Sequence, residues 1–312
     1  MPDPQQPTTE PRPPLAVTLP RTEYFELDSA HVGGRFAVWV TTPVYYERDP
    51  GAAFPAVYVT DGNVSAAMLA PYVEHTAFDL IGAFQPFVQV TVGYPPDQAA
   101  DWLTLRNRDL VPADEPAPPS MIAAVAADAE TAGWTQEEHD EYIRSIHEGR
   151  AEQFLAFLTD ELRPVIDERY RIDAASSGLF GYSYGGLFCL YALMRQTSMF
   201  HRYGAGSPGV LSPDSQIFRL EAGIAERGEG FDDARLHLTV NELEITGRSH
   251  IYRDLGIQFA RLVDQLYLSG HAGLEFDARI LPADTHMTGF SQSYLSYLRA
   301  CYGASVPPGG SL

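Results

Sequence analysis

A chain of 312 residues, 45% hydrophobic and 20% charged, carries ample apolar material for a full core, which excludes a disordered or fibrous protein. Acidic residues outnumber basic ones 41 to 21, for a formal net charge of −20. That field repels polyanions, so neither a nucleic acid nor an anionic membrane surface is expected as a partner.

The N-terminal MPDPQQPTTEPRPP has no basic n-region followed by an apolar stretch, and no apolar run is long enough to span a bilayer; a cytoplasmic location is expected. Residues 1–20, rich in Pro, Gln and Thr, and the tail 303–312 are expected to be disordered, flanking a single folded domain over 21–302. Within it strand-like and helix-like segments alternate, which predicts an α/β fold with a mainly parallel sheet and crossover helices. FAVWVTTP (36–43), AVYVTDG (56–62) and FVQVTVGY (87–94) read as strands, the last two short and bounded by glycine as buried strands are. The stretch 111–150 opens with prolines, runs through an alanine-rich piece and turns acidic around Glu137 to Glu141; it reads as a partly helical insertion, either a lid or a plain surface excursion. Phe154, Leu155, Leu158, Leu162, Val165 and Ile166 form one apolar helical face, with Pro164 expected to kink or tighten the helix. SGLFGYS (177–183), HLTVNE (237–242) and FDARILP (276–282) are further strands. Leu255, Phe259, Leu262, Val263 and Leu266 mark a helix that Gly270 should end, and Phe290, Tyr294, Leu295 and Leu298 mark the last one. Neither cysteine has a framework or metal-type spacing, and Cys189 sits in apolar helical surroundings, as a buried thiol does.

The strongest local signal is Gly181-Tyr182-Ser183-Tyr184-Gly185-Gly186. A serine hydroxyl is a weak nucleophile and must be presented in the open beside a base. A G-x-S-x-G turn achieves this with a sharp strand-to-helix bend whose apex is the serine. An apolar strand precedes the motif, and Leu187, Leu190, Tyr191 and Met194 continue it as an amphipathic helix. The Tyr184 N–H then points at a developing oxyanion, and a second donor is expected from Asp61-Gly62-Asn63 after an earlier strand: the Asn63 N–H, with Gly62 allowing close approach.

On this fold a catalytic acid and then a histidine follow the serine in chain order. Only His250, His271 and His286 lie late enough; His286, between the final strand and the last helix, is the predicted base. His271 beside a glycine reads as surface, and His250 starts a helix near the acid. For the acid, Asn241-Glu242-Leu243-Glu244 offers two carboxylates just beyond a strand; Glu244 is preferred, with Glu242 in reserve and Asp284 third.

With these segments in place, the chain from about Tyr24 to Tyr302 resembles the esterase family of α/β-hydrolases that holds esterase D and the enterobactin-type siderophore esterases. The resemblance rests on VYVTDGN (57–63), VTVGYP (90–95), RNRDLVP (106–112), FLAFLTDELRPVIDERY (154–170), GYSYGGLFCLYAL (181–193), GSPGV (206–210), NELE (241–244) and His286, in that order. It implies an α/β-hydrolase fold, with Ser183 as nucleophile, His286 as base, Glu244 as acid and Asn63 or Gly62 as second oxyanion donor. Siderophore-type members use an arginine in the RNRDLVP region near the substrate, which implies Arg108 or Arg106. Asn241 stands where relatives often have glycine, and Gly209 rather than serine follows Ser207-Pro208.

The function these residues imply is hydrolysis of a carboxylic ester or lactone through an acyl-enzyme, with a small-molecule substrate, no metal and no organic cofactor, by a monomer or homodimer. Tyr94, Trp102, Tyr182 and Tyr184 near the expected mouth would suit a flat or aromatic ligand. Two other readings stay open: an acyltransferase, as in relatives that transfer mycolyl groups to sugars, and a catalytically silent binding protein on the same scaffold.

Overall fold

The computed structural model describes residues 18–78 and 84–303. Of the expected tails only residues 18–20 and Gly303 fall in that range; the remainder lie outside the described residues. The strands are β1 (Thr22–Ser29), β2 (Gly34–Thr41), β3 (Ala56–Val59), β4 (Val88–Gly93), β5 (Gly178–Tyr182), β6 (Arg202–Gly206), β7 (Ala234–Asn241) and β8 (Leu274–Leu281). They form one sheet in the order β1-β2-β4-β3-β5-β6-β7-β8, antiparallel from β1 to β4 and parallel beyond. Strands β1 and β6 escape the sequence reading. β1 is an edge strand whose outward residues break any apolar run, and β6 is Arg-Tyr-Gly-Ala-Gly, without a β-branched residue.

Helix α1 (Gly62–His75) joins β3 to β4. Between β4 and β5 lie α2 (Trp102–Leu110), α3 (Pro119–Ala132), α4 (Gln136–His147), α5 (Ala151–Ala156) and α6 (Arg163–Arg169). Helix α7 (Tyr184–Met194) follows β5, α8 (Gln216–Arg227) follows β6, α9 (Glu242–Thr246) and α10 (His250–Ser269) follow β7, and α11 (Gly289–Tyr302) follows β8. α1 and α11 cover one face of the sheet, where Leu69, Val73, Tyr294, Tyr297 and Leu298 pack on Val57, Val59 and Phe180. The other crossover helices cover the opposite face in the larger core. Alternate residues of β3 thus point into two cores, as the period of a strand buried on both sides requires.

Three local details bear on the expectations. Pro164 widens its helix rather than tightening it: α5 and α6 are joined by a π-helical turn, Phe157–Leu162, in which the Arg163 N–H reaches back to the Leu158 carbonyl. A proline just beyond, with no N–H and a ring that crowds the preceding turn, favours that detour. Gly270 does end α10, in the left-handed conformation at φ 55°. Helix α7 is not amphipathic, because every residue from Tyr184 to Met194 is buried between the sheet and its neighbours. Both thiols are buried, and burial pushes the Cys301 thiol up to about 12.

The chain order positions the site. From β3 the chain steps to β4 on one side and later to β5 on the other, so the connections leaving the carboxyl ends of β3 and β5 diverge and leave a crevice. The two elements leaving there are the turn at Asp61 and the turn at Ser183.

Candidate active site

Ser183 sits between β5 and α7 with φ 57° and ψ −120°, a backbone conformation that L-residues rarely adopt. Glycines make room for it. A Cβ on Gly181 would lie 2.0 Å from the Gly185 carbonyl oxygen, and one on Gly185 would lie 2.3 Å from Thr60 Oγ1. The bend is further held by the Ser183 N–H donating to the Gly206 carbonyl and the Gly209 N–H donating to the Ser183 carbonyl, at 2.9 and 2.8 Å. We expect Gly185→Ala to destabilise the protein by roughly 1–3 kcal/mol in urea unfolding, since the added methyl must displace the buried Thr60 side chain or the first turn of α7.

His286 lies on the loop between β8 and α11. That loop is pinned to α9: the Ala283 N–H donates to Glu242 Oε2 at 2.7 Å, and the Leu243 N–H donates to the Asp284 carbonyl at 3.1 Å. The pinning brings His286 Nδ1 to 2.5 Å from Glu244 Oε1. Glu244 is fully buried and its other oxygen accepts from the Asn241 N–H at 2.7 Å and the Ser207 hydroxyl at 2.8 Å. Burial alone would raise its carboxyl. Hydrogen bonding and attraction to His286, with the Asn241 and Ser207 bonds, outweigh burial and hold it below the usual carboxylate range. The two alternative acids are engaged elsewhere: Glu242 in the loop contact, Asp284 as acceptor for the Thr288 hydroxyl at 2.8 Å.

Above the imidazole lies Tyr252 of α10, nearly parallel at 4.6 Å between ring centroids, and Tyr182 packs from the β5 side at 5.1 Å. The Tyr182 hydroxyl donates to the His286 carbonyl at 2.6 Å and accepts from Asn241 Nδ2 at 2.6 Å; that amide also reaches the Ser207 hydroxyl at 2.8 Å. Tyr182 was expected near the mouth and lines the cleft; Ser207 and Asn241 were not expected at the site. The sequence signal was present in Asn241, the departure from the glycine usual in relatives: Asn241 fits because Gly289, where a Cβ would lie 1.9 Å from Asn241 Oδ1, stands opposite.

Ser183 and His286 open onto one cleft of about 490 Å³. No hydrogen bond joins the Ser183 hydroxyl to the imidazole among the described residues. The walls are largely apolar and aromatic, with Trp102, Trp134, Tyr142 and Tyr252 prominent. Trp134 follows α3 and Tyr142 lies on α4, so the 111–150 stretch forms part of the wall over the serine. At the inner end Arg106 is paired with Asp61, Nε to Oδ1 at 2.5 Å and a second bond at 3.0 Å. Burial opposes the Arg106 charge, but the facing carboxylate prevails and raises its pKa above the ordinary arginine value. Among the described residues no group of three or more His, Cys, Asp or Glu could hold a metal ion, and no helix is long and apolar enough to cross a membrane.

Comparison with known proteins adds an independent line. A family profile described as "Putative esterase" matches residues 109–250, a span that includes the Ser183 turn and Glu244. The chain is similar to the ferri-bacillibactin esterase BesA of Bacillus subtilis, 28% identical over 62% of this chain and 61% of that protein. It is also similar to the siderophore triacetylfusarinine C esterase of Aspergillus fumigatus, 28% identical over 63% of this chain and 59% of that protein. Over these matched spans the chain is similar to esterases of this kind. The alignments span about three fifths of the length of these curated relatives. Among solved structures, the BES protein from Bacillus cereus superposes with a TM-score of 0.73 at 22% identity, covering 95% of this chain and 99% of that one. The fold is that of the α/β-hydrolases.

Several of the expected side chains do not line this cleft. Arg108 does not face the cleft; its guanidinium chelates the buried Asp109 at 2.7 and 2.9 Å, whereas Arg106, two residues away on α2, lines the wall. Two positions along the helix, rather more than half a turn, decide which arginine points inward. Tyr94 is likewise buried, its hydroxyl donating to Asp109 at 3.0 Å, and does not reach the cleft. Tyr184 is buried beneath it, its ring under Arg106 and its hydroxyl against the Met121 sulfur. Gly62 and Asn63 do not line the cleft either; Asp61 and Val64, on either side of them, do. The Asn63 side chain instead clamps the Tyr94 backbone, accepting from its N–H and donating to its carbonyl at 2.8 and 2.9 Å. His271 is no surface residue: its ring is buried 2.6 Å from Glu221 on α8.

Proposed function

We propose that this protein is a serine esterase that opens carboxylic ester or lactone bonds, with Ser183 as nucleophile, His286 as base and Glu244 as the acid that orients it. The observation that supports this most is the buried Glu244 carboxylate 2.5 Å from His286 Nδ1, on the same cleft as a serine at a strained strand-to-helix turn. With Nδ1 bound to the carboxylate, Nε2 is the free nitrogen, in the tautomer that accepts a proton from a serine. The reaction then runs in two halves. The Ser183 oxygen attacks the carbonyl carbon as its proton passes to His286 Nε2; the tetrahedral intermediate collapses, His286 returns the proton to the departing alkoxide, and an acyl-enzyme remains. Water, deprotonated by the same nitrogen, releases the acid. The Tyr184 N–H, first in α7, would face the oxyanion. The second donor belongs to the start of α1, where the Gly62 and Asn63 N–H groups, in the first helical turn, have no intrahelical acceptors.

The relatives named as siderophore esterases and the aromatic cleft support a siderophore ester or lactone carrying aromatic groups as the substrate class. The test is incubation of the full chain with a tricatechol trilactone, apo and iron-loaded, and with p-nitrophenyl acetate, following ring-opened acids by mass spectrometry. Trilactone hydrolysis with a higher kcat/KM than the acetate ester is expected. Acyl transfer to added alcohols exceeding hydrolysis would favour the transferase reading. An unreactive Ser183 toward a fluorophosphonate, with no ester turned over, would favour a silent binding scaffold.

A further inference from the structure

Strand β8 ends the sheet. Its inner edge pairs with β7, and among the described residues no element pairs with its outer edge. Such a strand normally offers its backbone groups to water and is blunted by shortness, twist or charge. β8 is instead eight residues long, with Ala278, Arg279 and Ile280 exposed, and the neighbouring face of α10 presents Tyr267 and Leu268, 70% and 80% exposed.

The sequence of the strand, Leu274-Glu-Phe-Asp-Ala-Arg-Ile-Leu281, is complementary to itself when run antiparallel. A two-fold axis perpendicular to the sheet keeps each side chain on its own face, so opposed residues must share parity and the axis must pass through a residue. Centred on Ala278, the register sets Asp277 of each copy opposite Arg279 of the other, twice, on the α11 face, where Asp277 already bonds His237 at 2.9 Å. On the α10 face it sets Phe276 opposite Ile280, also twice, next to Tyr267, whose ring packs edge-on to Phe276 at 4.7 Å. Moving the axis to Asp277 or Arg279 puts two like charges opposite each other, which is unfavourable. Charge and apolar pattern therefore select one register.

We propose that β8 pairs with β8 of a second copy of this chain about a two-fold axis at Ala278, joining two sheets into one of sixteen strands. The test uses the full chain. Sedimentation velocity across the micromolar range should give a dimer, and a monomer throughout would overturn the proposal. In Ala278→Cys the two new thiols oppose each other at a Cα separation of about 4.5–5.5 Å, suitable for a disulfide. Mild oxidation should link that variant covalently, and failure to link under conditions that oxidise small dithiols would overturn the register. Arg279→Asp and Asp277→Arg, alone, each set like charges across both pairs and should raise the dissociation constant on the order of tenfold. Mixed one to one, they restore two opposite-charge pairs and should dimerise together. That rescue also shows that both variants fold, and no gain on mixing would reject the ion pairs.

Discussion

Ser183→Ala is expected to lower kcat/KM for ester hydrolysis by roughly 10⁴-fold or more, and to abolish labelling by a fluorophosphonate. The loss is large because, on the proposed mechanism, the other serine of the network cannot substitute: the Ser207 hydroxyl is buried and committed to Glu244. Stability should separate from activity in an informative way. Ser183 holds φ 57° and ψ −120°, and alanine at that position keeps the same Cβ in the same unfavourable backbone. Thermal unfolding of the alanine variant should therefore stay close to wild type. Ser183→Gly, equally inactive, should be more stable than the alanine variant by about 1 kcal/mol, because glycine visits this region without steric cost. An alanine variant that retains activity within tenfold would remove Ser183 from the reaction. Equal stability of the glycine and alanine variants would mean that the turn is unstrained in solution.

Strands such as Val88–Gly93 were legible from composition because a buried strand is a short run of β-branched residues, here closed by a glycine. What escaped was set by tertiary neighbours. β6 needs glycine at 204 because the Tyr297 ring lies where a Cβ would be, 2.4 Å away, so the residue that makes the packing possible also erases the strand signal. The same holds in the site. The serine, the histidine and the pair of glutamates could be read from motif and chain order, but a spacing does not say which way a helical side chain turns. Arg106 and Arg108 differ by two positions on α2, and only the structure tells the wall residue from the one buried against Asp109. Trp134, Tyr142 and Tyr252 come from segments whose sequence is that of ordinary helices and turns. Their place on the cleft follows from how α3, α4 and α10 pack together and against α2, which is written in no local pattern.

Glu244→Gln should cost roughly 10³- to 10⁴-fold in kcat/KM while leaving the fold intact. Glutamine has nearly the same shape and can still accept from the Asn241 N–H and the Ser207 hydroxyl, so the bonds that hold the side chain survive. What disappears is the charge 2.5 Å from Nδ1, which on the proposed mechanism favours the imidazolium formed as the serine proton is taken. The amide also has its own N–H to present, which permits the other imidazole tautomer and turns the lone pair away from Ser183. Aspartate at 244 keeps the charge but stops one methylene short of the ring, and should retain more activity than glutamine. Glu242→Gln, acting only through the Ala283 amide, should cost no more than a few-fold. The pH dependence of stability carries a second signature. The Glu244 carboxyl sits below its ordinary value of 4.5 in the folded protein, so its ionisation contributes stability that is complete above that value and is lost as pH falls through the lower folded value. Unfolding free energies of wild type and Glu244→Gln should therefore differ by a constant amount near neutrality, with the wild-type curve falling more steeply on acidification below pH 4.5. Parallel curves over that acid range would show that the carboxylate is not held in its charged form by His286, Asn241 and Ser207, and the role assigned to Glu244 would fall with it.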